Sequence, residues 1–166
     1  MLNTSLIKKL EKQLNKKPKK KTEQQIFELP KKYVQGLSKK EAKEKTENVK
    51  ETKKLLREGK KEEAYKKASE RPTVKSDKKS SYTIRFKKKF GNIKQKSKAM
   101  QEATGIPIAA QKEILKRGLG AFASAGSRAS VSSPQAWSIA RFYSFYFNKG
   151  KTFDEDIVKK YNIKFK

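Results

Sequence analysis

Lysine is absent from the stretch GAFASAGSRASVSSPQAWSIARFYSF, residues 120–145, although lysine dominates most of the remaining chain. The stretch contains the only tryptophan, Trp137, together with small residues and a run of aromatic residues. Small residues let backbones approach closely, and a tryptophan needs a largely apolar bed and a partner for its indole N–H. We therefore expect this stretch to pack in a folded core from which lysine is excluded.

The rest of the chain carries a large positive charge. There are 44 Lys and Arg residues against 17 Asp and Glu residues, a net charge of +27 in 166 residues. Only 34% of the residues are hydrophobic, which is too few to offset the ordering entropy of the whole chain. We therefore expect part of the chain to be extended, or to fold against a polyanion or an acidic protein surface. Proteins encoded by AT-rich genomes are rich in lysine, and such a bias is an alternative explanation for part of the excess.

Helix signals are clear in the middle of the chain. Ser38 and Glu41 form a capping box, which begins a helix that ends near Glu58 with Gly59 directly after it. A second short helix is expected over residues 60–69, before a proline. The first helix has little apolar content, so we expect it to be solvated or to lie on a partner.

The C-terminal half has further helix signals. Predicted helices cover residues 92–103, a segment with Pro107 in its first turn, a segment begun by Pro134 with Ser133 as N-cap, and a segment begun by a Thr152–Glu155 capping box. The alternation of Tyr82, Ile84 and Phe86 predicts a strand or an extended arm. Together these signals predict a mainly α fold with two parts, a Lys-rich helical arm or linker over residues 1–75 and a compact helical domain over residues 76–166.

The segment KAMQEATGIPIAAQKEIL, residues 98–115, has the order of a helix-turn-helix pair. In that motif the second helix enters the major groove, and its early residues contact base edges. Here those residues are Ala109, Gln111, Lys112 and Lys116; glutamine can pair with adenine, and lysine with guanine or phosphate. Two helices joined by a glycine turn are also a common packing unit without DNA, and both interpretations stay open.

Other candidate contacts to an anion are basic clusters and two arginines. The clusters supply Lys17, Lys19, Lys20 and Lys21, and then Lys87, Lys88 and Lys89, as candidate nucleic-acid contacts. Arg128 lies in a loop, and Arg141 is one helical turn after Trp137. These two arginines are candidates for a clamp on a phosphate or a carboxylate. They could equally fix the loop by donating to carbonyl groups.

The composition argues against most kinds of catalysis. The chain has no Cys and no His, which excludes disulfides, zinc sites of the usual kind, thiol nucleophiles and histidine-based triads. Asp154, Glu155 and Asp156 are placed where acidic residues suit the first turn of a helix. We find no phosphate-binding or dinucleotide-binding glycine motif and no apolar run approaching about 18–20 residues. We therefore predict a protein that is not an enzyme, has no cofactor or metal, and does not span a membrane.

Two segments resemble viral proteins. Leu29-Pro30 followed by GLSKKEAKEKTENVKETKKLLREGK resembles a basic segment of uncharacterised proteins of large eukaryotic DNA viruses. The second segment is KRGLGAFASAGSRASVSSPQAWSIARFYSF, residues 116–145, with Gly150-Lys151 after it. It resembles proteins of giant viruses and tailed phages at these positions: Arg117-Gly118, Gly126-Ser127-Arg128, Trp137, Ala140-Arg141, Ser144-Phe145 and Gly150-Lys151. This chain departs from that pattern at Ala129, where the similar proteins often have proline.

The resemblance implies a viral setting, and the charge implies a binding role. Together they predict a non-enzymatic, virion-associated protein of a large DNA virus, whose basic arm binds nucleic acid, most simply DNA, or an acidic capsid surface. Its expected location is the virion, and the host nucleus or a cytoplasmic virus factory during infection. One alternative is a minor capsid protein that cements capsid proteins together. Another is a DNA-processing enzyme or its accessory subunit; the enzyme would require a set of catalytic residues, which the sequence does not display.

Overall fold

The computed structural model describes residues 28–131 and 133–166, which form eight helices and no strand. In chain order the helices are α1 (Lys31–Val34), α2 (Lys39–Arg57), α3 (Lys61–Ser69), α4 (Ser81–Phe90), α5 (Lys98–Thr104), α6 (Ile108–Ala125), α7 (Pro134–Phe147) and α8 (Glu155–Lys160). None of these eight helices has the length and apolar content needed to cross a lipid bilayer. The predicted mainly α fold is confirmed.

Side-chain caps begin two helices where the sequence predicts them. The Ser38 Oγ accepts a hydrogen bond from the Glu41 N–H at 3.3 Å, and the Glu41 carboxylate accepts one from the Ser38 N–H at 2.8 Å. The Ser133 hydroxyl likewise accepts from the Ala136 N–H, and Pro134 is the first residue of α7. These bonds satisfy N–H groups that a helix start otherwise leaves unpaired.

Helices α6 and α7 form the centre of the fold. The Ser138 hydroxyl on α7 donates to the Leu115 carbonyl on α6 at 2.6 Å, and Gly118 leaves the space for this close crossing. An apolar core surrounds the pair, with fully buried side chains that include Phe86, Met100, Ile106, Ile114, Phe142, Phe145 and Ile157. The lysine-free stretch supplies parts of both central helices, which explains why lysine is excluded from it.

Helix α4 corrects the prediction of a strand or extended arm. Tyr82, Phe86 and Phe90 are four residues apart, so they lie on one face of a helix. Phe86 is fully buried in the core, whereas Ile84, which a strand would place on the same face, is 56% exposed. The four-residue spacing of the aromatic side chains therefore decides the local structure over the two-residue alternation.

Helix α5 is shorter than the helix predicted over residues 92–103. It begins at Lys98, after Ser97, whose hydroxyl accepts a hydrogen bond from the Met100 N–H. Lys96 adopts a left-handed backbone conformation with φ 59°, which a continuous helix does not allow. The residues before Ser97 therefore form an irregular connection from α4.

One buried arginine, Arg71, joins helix α2 to helix α6. The Arg71 guanidinium donates to the carbonyls of Phe122 at 2.7 Å and Ala123 at 2.8 Å, both in the last turn of α6. It also donates to the side-chain oxygens of Asn48 and Thr52 on α2, each at 2.8 Å. The Arg71 side chain, two residues after the end of α3, thus joins α2 to the C-terminal end of α6.

The described part of the Lys-rich segment does not need a second molecule to pack against. The buried face of α2 lies on this chain's own α3 and α6 and consists of Lys45, Asn48, Val49 and Thr52. This chain itself covers one face of the helix, and ten of its 19 residues are exposed, so the helix is largely solvated as expected; its contact with a partner stays a prediction. The division of the chain into two domains at residue 75 stays a prediction.

Candidate functional site

A cleft of about 1050 Å³ lies between the region around α4 and the loop and first turns of α7. Six basic side chains and no acidic side chain line it: Lys78, Lys79, Lys87, Lys94, Arg128 and Arg141. Its walls come from residues 76–95, 128–131 and 136–153, which are distant in sequence. We call this site the basic cleft.

Both arginines of the predicted clamp line the basic cleft, but they differ in their contacts. The exposed Arg128 guanidinium makes no hydrogen bond or ion pair within the described residues. Arg141 donates to the Asp154 carboxylate at 2.9 Å and lies over the Phe153 ring, 4.2 Å from its centroid. Arg128 is therefore available to an anion, whereas Arg141 already has a carboxylate partner. A joint clamp stays a prediction.

The carboxylate that holds Arg141 belongs to an ionic network at the start of α8. The Arg117 guanidinium donates to Asp154 at 3.1 Å and to Asp156 at 2.6 Å. These bonds raise the pKa of Arg117, and the Arg117 guanidinium lowers the pKa of the Asp156 carboxyl. The network fixes the wall of the basic cleft that carries Arg141.

The same network explains why the predicted capping box does not form. Asp154, and not Thr152, is the N-cap of α8, and it has a left-handed φ of 61°. Its carboxylate bonds to Arg117 and Arg141, so it does not cap the helix N–H groups. The prediction of a Thr152–Glu155 box is therefore wrong.

Glu113 extends the network along α6. Its carboxylate accepts hydrogen bonds from the Lys160 ammonium at 2.7 Å and the Tyr161 hydroxyl at 2.8 Å. These two bonds, and a third from Arg117, lower the pKa of Glu113 to about 2. Glu113 and Asp156 thus pair with cations outside the basic cleft, and Asp154 pairs with Arg141 alone among the six basic side chains that line it.

The lysines of the basic cleft carry uncompensated charge. Lys78, Lys79, Lys87 and Lys94 are exposed, and none forms an ion pair within the described residues. Residues 78–101 contain nine basic residues and no acidic one. Only Lys87 of these four was predicted from the sequence, although the long run without an acidic residue was a signal for the others.

Lys88 and Lys89 line a different site. They belong to a second basic cleft of about 730 Å³, together with Arg85, Lys149 and Lys166, on another face of α4. The Lys89 ammonium donates to the Tyr146 hydroxyl at 2.7 Å. The predicted cluster of three lysines is thus divided by helix α4 between two clefts.

The structure contradicts the helix-turn-helix prediction at one of its four candidate base-reading residues, Gln111. Gln111 is fully buried; its amide donates to the Ile106 carbonyl at 2.9 Å and its oxygen accepts from the Lys96 N–H at 2.8 Å. It links α6 to the connection before α5 and cannot reach a base edge. Lys112 and Lys116 are exposed on α6, but they line neither the basic cleft nor the cleft around Lys88 and Lys89. Their contact with nucleic acid stays a prediction.

Four further predicted contacts, Lys17, Lys19, Lys20 and Lys21, lie outside the described residues. Within residues 28–131 and 133–166, no group of three or more acidic side chains is placed to hold a metal ion.

Comparison with known proteins identifies a family but no individual relative. No curated protein and no solved structure matches the chain. The model of a family of unknown function, DUF5824, matches residues 30–164, which include all eight described helices and the lining of the basic cleft. Because this match spans most of the sequence, the chain belongs to the DUF5824 family.

Proposed function

We propose that this protein is a non-enzymatic, virion-associated nucleic-acid-binding protein, and that its basic cleft holds the phosphate backbone of DNA. The observation that carries the proposal is the lining of the cleft, with six basic side chains and no acidic one. Five of the six, all except Arg141, form no ion pair within the described residues. The setting in a large DNA virus comes from the sequence resemblance.

The chemistry of the cleft suits a phosphate backbone. A cleft lined by one sign of charge focuses the electric field, and binding of phosphates by Lys and Arg releases condensed counterions. Arg128 adds a planar donor group that can bond two phosphate oxygens at once. Neutral donors that commonly contact phosphate also line the cleft: Ser76, Ser80, Thr83 and Asn92.

A double variant in the basic cleft tests the proposal. Lys87→Gln with Arg128→Gln removes two exposed cations that make no ion pair within the described residues, so the fold should be unaffected. We expect weaker binding of a labelled DNA by fluorescence anisotropy. The slope of log affinity against log salt should decrease by about 0.7–0.9 for each phosphate that the variant no longer neutralises. For the unchanged protein, about 6–10 neutralised phosphates imply that affinity falls by about 10³-fold or more between 50 and 200 mM salt.

The matched control is Lys54→Gln with Arg57→Gln. Both residues are exposed at the end of α2 and line neither basic cleft, so the net charge changes equally at a different place. The control should retain most of the affinity and the salt slope. Equal losses of affinity in the two double variants would contradict a site in the cleft. Failure of the unchanged protein to bind DNA would favour the alternative of a cement protein on acidic capsid surfaces.

A further inference from the structure

Aromatic side chains lie among the cations of the basic cleft. Trp137, Tyr82, Tyr143 and Phe153 all line it. Trp137 is only partly buried, and its indole N–H has no hydrogen-bond partner within the described residues. The lining therefore offers flat apolar surface as well as charge, which a site for phosphate alone does not require.

The Trp137 ring contacts two neighbours, Phe122 and Arg141. Phe122 packs against it edge to face, with the ring centroids 6.2 Å apart. The Arg141 guanidinium lies 5.9 Å from the Trp137 ring centroid and is itself fixed by Asp154. Because these contacts restrict the ring, a ligand that stacks on it has less side-chain entropy to remove.

We infer that the basic cleft binds single-stranded nucleic acid, with one base stacked on Trp137 and the neighbouring phosphates on the lysines and Arg128. This inference rests on the proposed function and names the form of nucleic acid that the cleft takes. Proteins that bind single strands combine a positively charged groove with aromatic side chains on which bases stack. In a duplex the base faces are covered by neighbouring bases, so a duplex engages only the cations.

The tryptophan provides the measurement, because it is the only one in the chain. Trp137 fluorescence is followed while the full chain is titrated, at one fixed salt concentration, with a single-stranded DNA, a duplex of the same sequence, and inorganic polyphosphate. We expect the single strand to quench the emission, and polyphosphate, which has no bases, to bind without comparable quenching. The single strand should also bind about tenfold more tightly than the duplex, as expected for one stacked base.

Trp137→Leu keeps an apolar side chain against Phe122 but removes the flat ring. We expect affinity for single-stranded DNA, measured by anisotropy, to fall about tenfold, and affinity for polyphosphate to stay unchanged. The affinity of the Trp137→Phe variant for single-stranded DNA should lie between the affinities of the Trp137→Leu variant and the unchanged protein. If Trp137→Leu proves poorly folded by circular dichroism, the quenching series on the unchanged chain decides alone.

The outcomes separate this inference from the proposed function. Equal affinity for single strand and duplex, or equal quenching by polyphosphate, overturns the inference and leaves the binding of nucleic acid intact. Failure of every nucleic acid to bind overturns both. Preferential quenching by the single strand supports both.

Discussion

Two buried cations, Arg71 and Lys45, have very different surroundings. Arg71 is 4% exposed and donates four hydrogen bonds to neutral acceptors, two of them carbonyls at the negative end of the α6 dipole. Lys45 is fully buried, and its ammonium nitrogen has no hydrogen-bond partner within the described residues. Burial, with a smaller contribution from Arg71, lowers the pKa of Lys45 to about 8. Burial of the charged lysine therefore destabilises the fold.

Lys45→Met should stabilise the protein at neutral pH. The decrease of the Lys45 pKa from 10.5 to about 8 corresponds to at most about 3 kcal/mol of unfolding free energy. The unfolded lysine keeps its proton up to about pH 10.5, so the destabilisation is complete below pH 8 and disappears as the pH rises through this range. We expect Lys45→Met to raise the unfolding free energy by about 1–3 kcal/mol at pH 7 and by much less at pH 10.

Urea denaturation at the two pH values checks this, with Lys54→Met as the control for removal of one positive charge at an exposed position. If Lys45→Met raises the unfolding free energy equally at both pH values, the gain comes from packing and not from removal of the charge. A destabilised Lys45→Met would show that the ammonium has a favourable partner in solution.

Substitution by alanine should have opposite effects on stability at two glycines of α6, Gly118 and Gly120. A Cβ at Gly118 would lie 2.6 Å from the Ser138 Oγ and 3.0 Å from the Ser138 Cα on α7. A Cβ at Gly120 would meet only the Tyr65 hydroxyl, at 3.7 Å. Gly118→Ala should therefore force the helices apart and cost about 1–3 kcal/mol, whereas Gly120→Ala should stabilise the helix by up to about 1 kcal/mol.

Measuring the unfolding free energies of Gly118→Ala and Gly120→Ala under the same conditions tests whether the two changes have opposite signs. A shift in the same direction would mean that the α6–α7 crossing adjusts easily, and that Gly118 is not what sets the distance between the helices.

The helices were predictable where a local signal marks their ends. Ser38 with Glu41, and Ser133 with Pro134, identified two helix starts, because capping is a short-range interaction that the sequence displays directly. The helical state of α4 was missed because its aromatic residues satisfy both a two-residue and a four-residue spacing. The position of Phe86 in the core resolves that ambiguity, and it depends on α7, which is distant in sequence.

The basic cleft brings together segments that are far apart in the sequence. Arg128 and Arg141 were identified as a pair from their own surroundings, and both line the cleft. Lys78, Lys79 and Lys94 were not identified, because their proximity to the arginines arises from the packing of α4 on α7. Local pattern thus gave individual basic residues, and only the tertiary structure shows which of them share a surface.

The same excess charge should give folding stability and DNA binding opposite dependences on salt. A net charge of +27 opposes the compact state through self-repulsion, which salt screens over a Debye length of about 10 Å at 0.1 M. Added NaCl should therefore raise the midpoint of thermal unfolding, while it weakens DNA binding by restoring the counterion atmosphere. Calorimetry and anisotropy on the same samples measure both trends. A midpoint that falls with NaCl would mean that the ion pairs of Glu113, Asp154 and Asp156 contribute more to stability than the repulsion costs, because salt weakens such pairs as well.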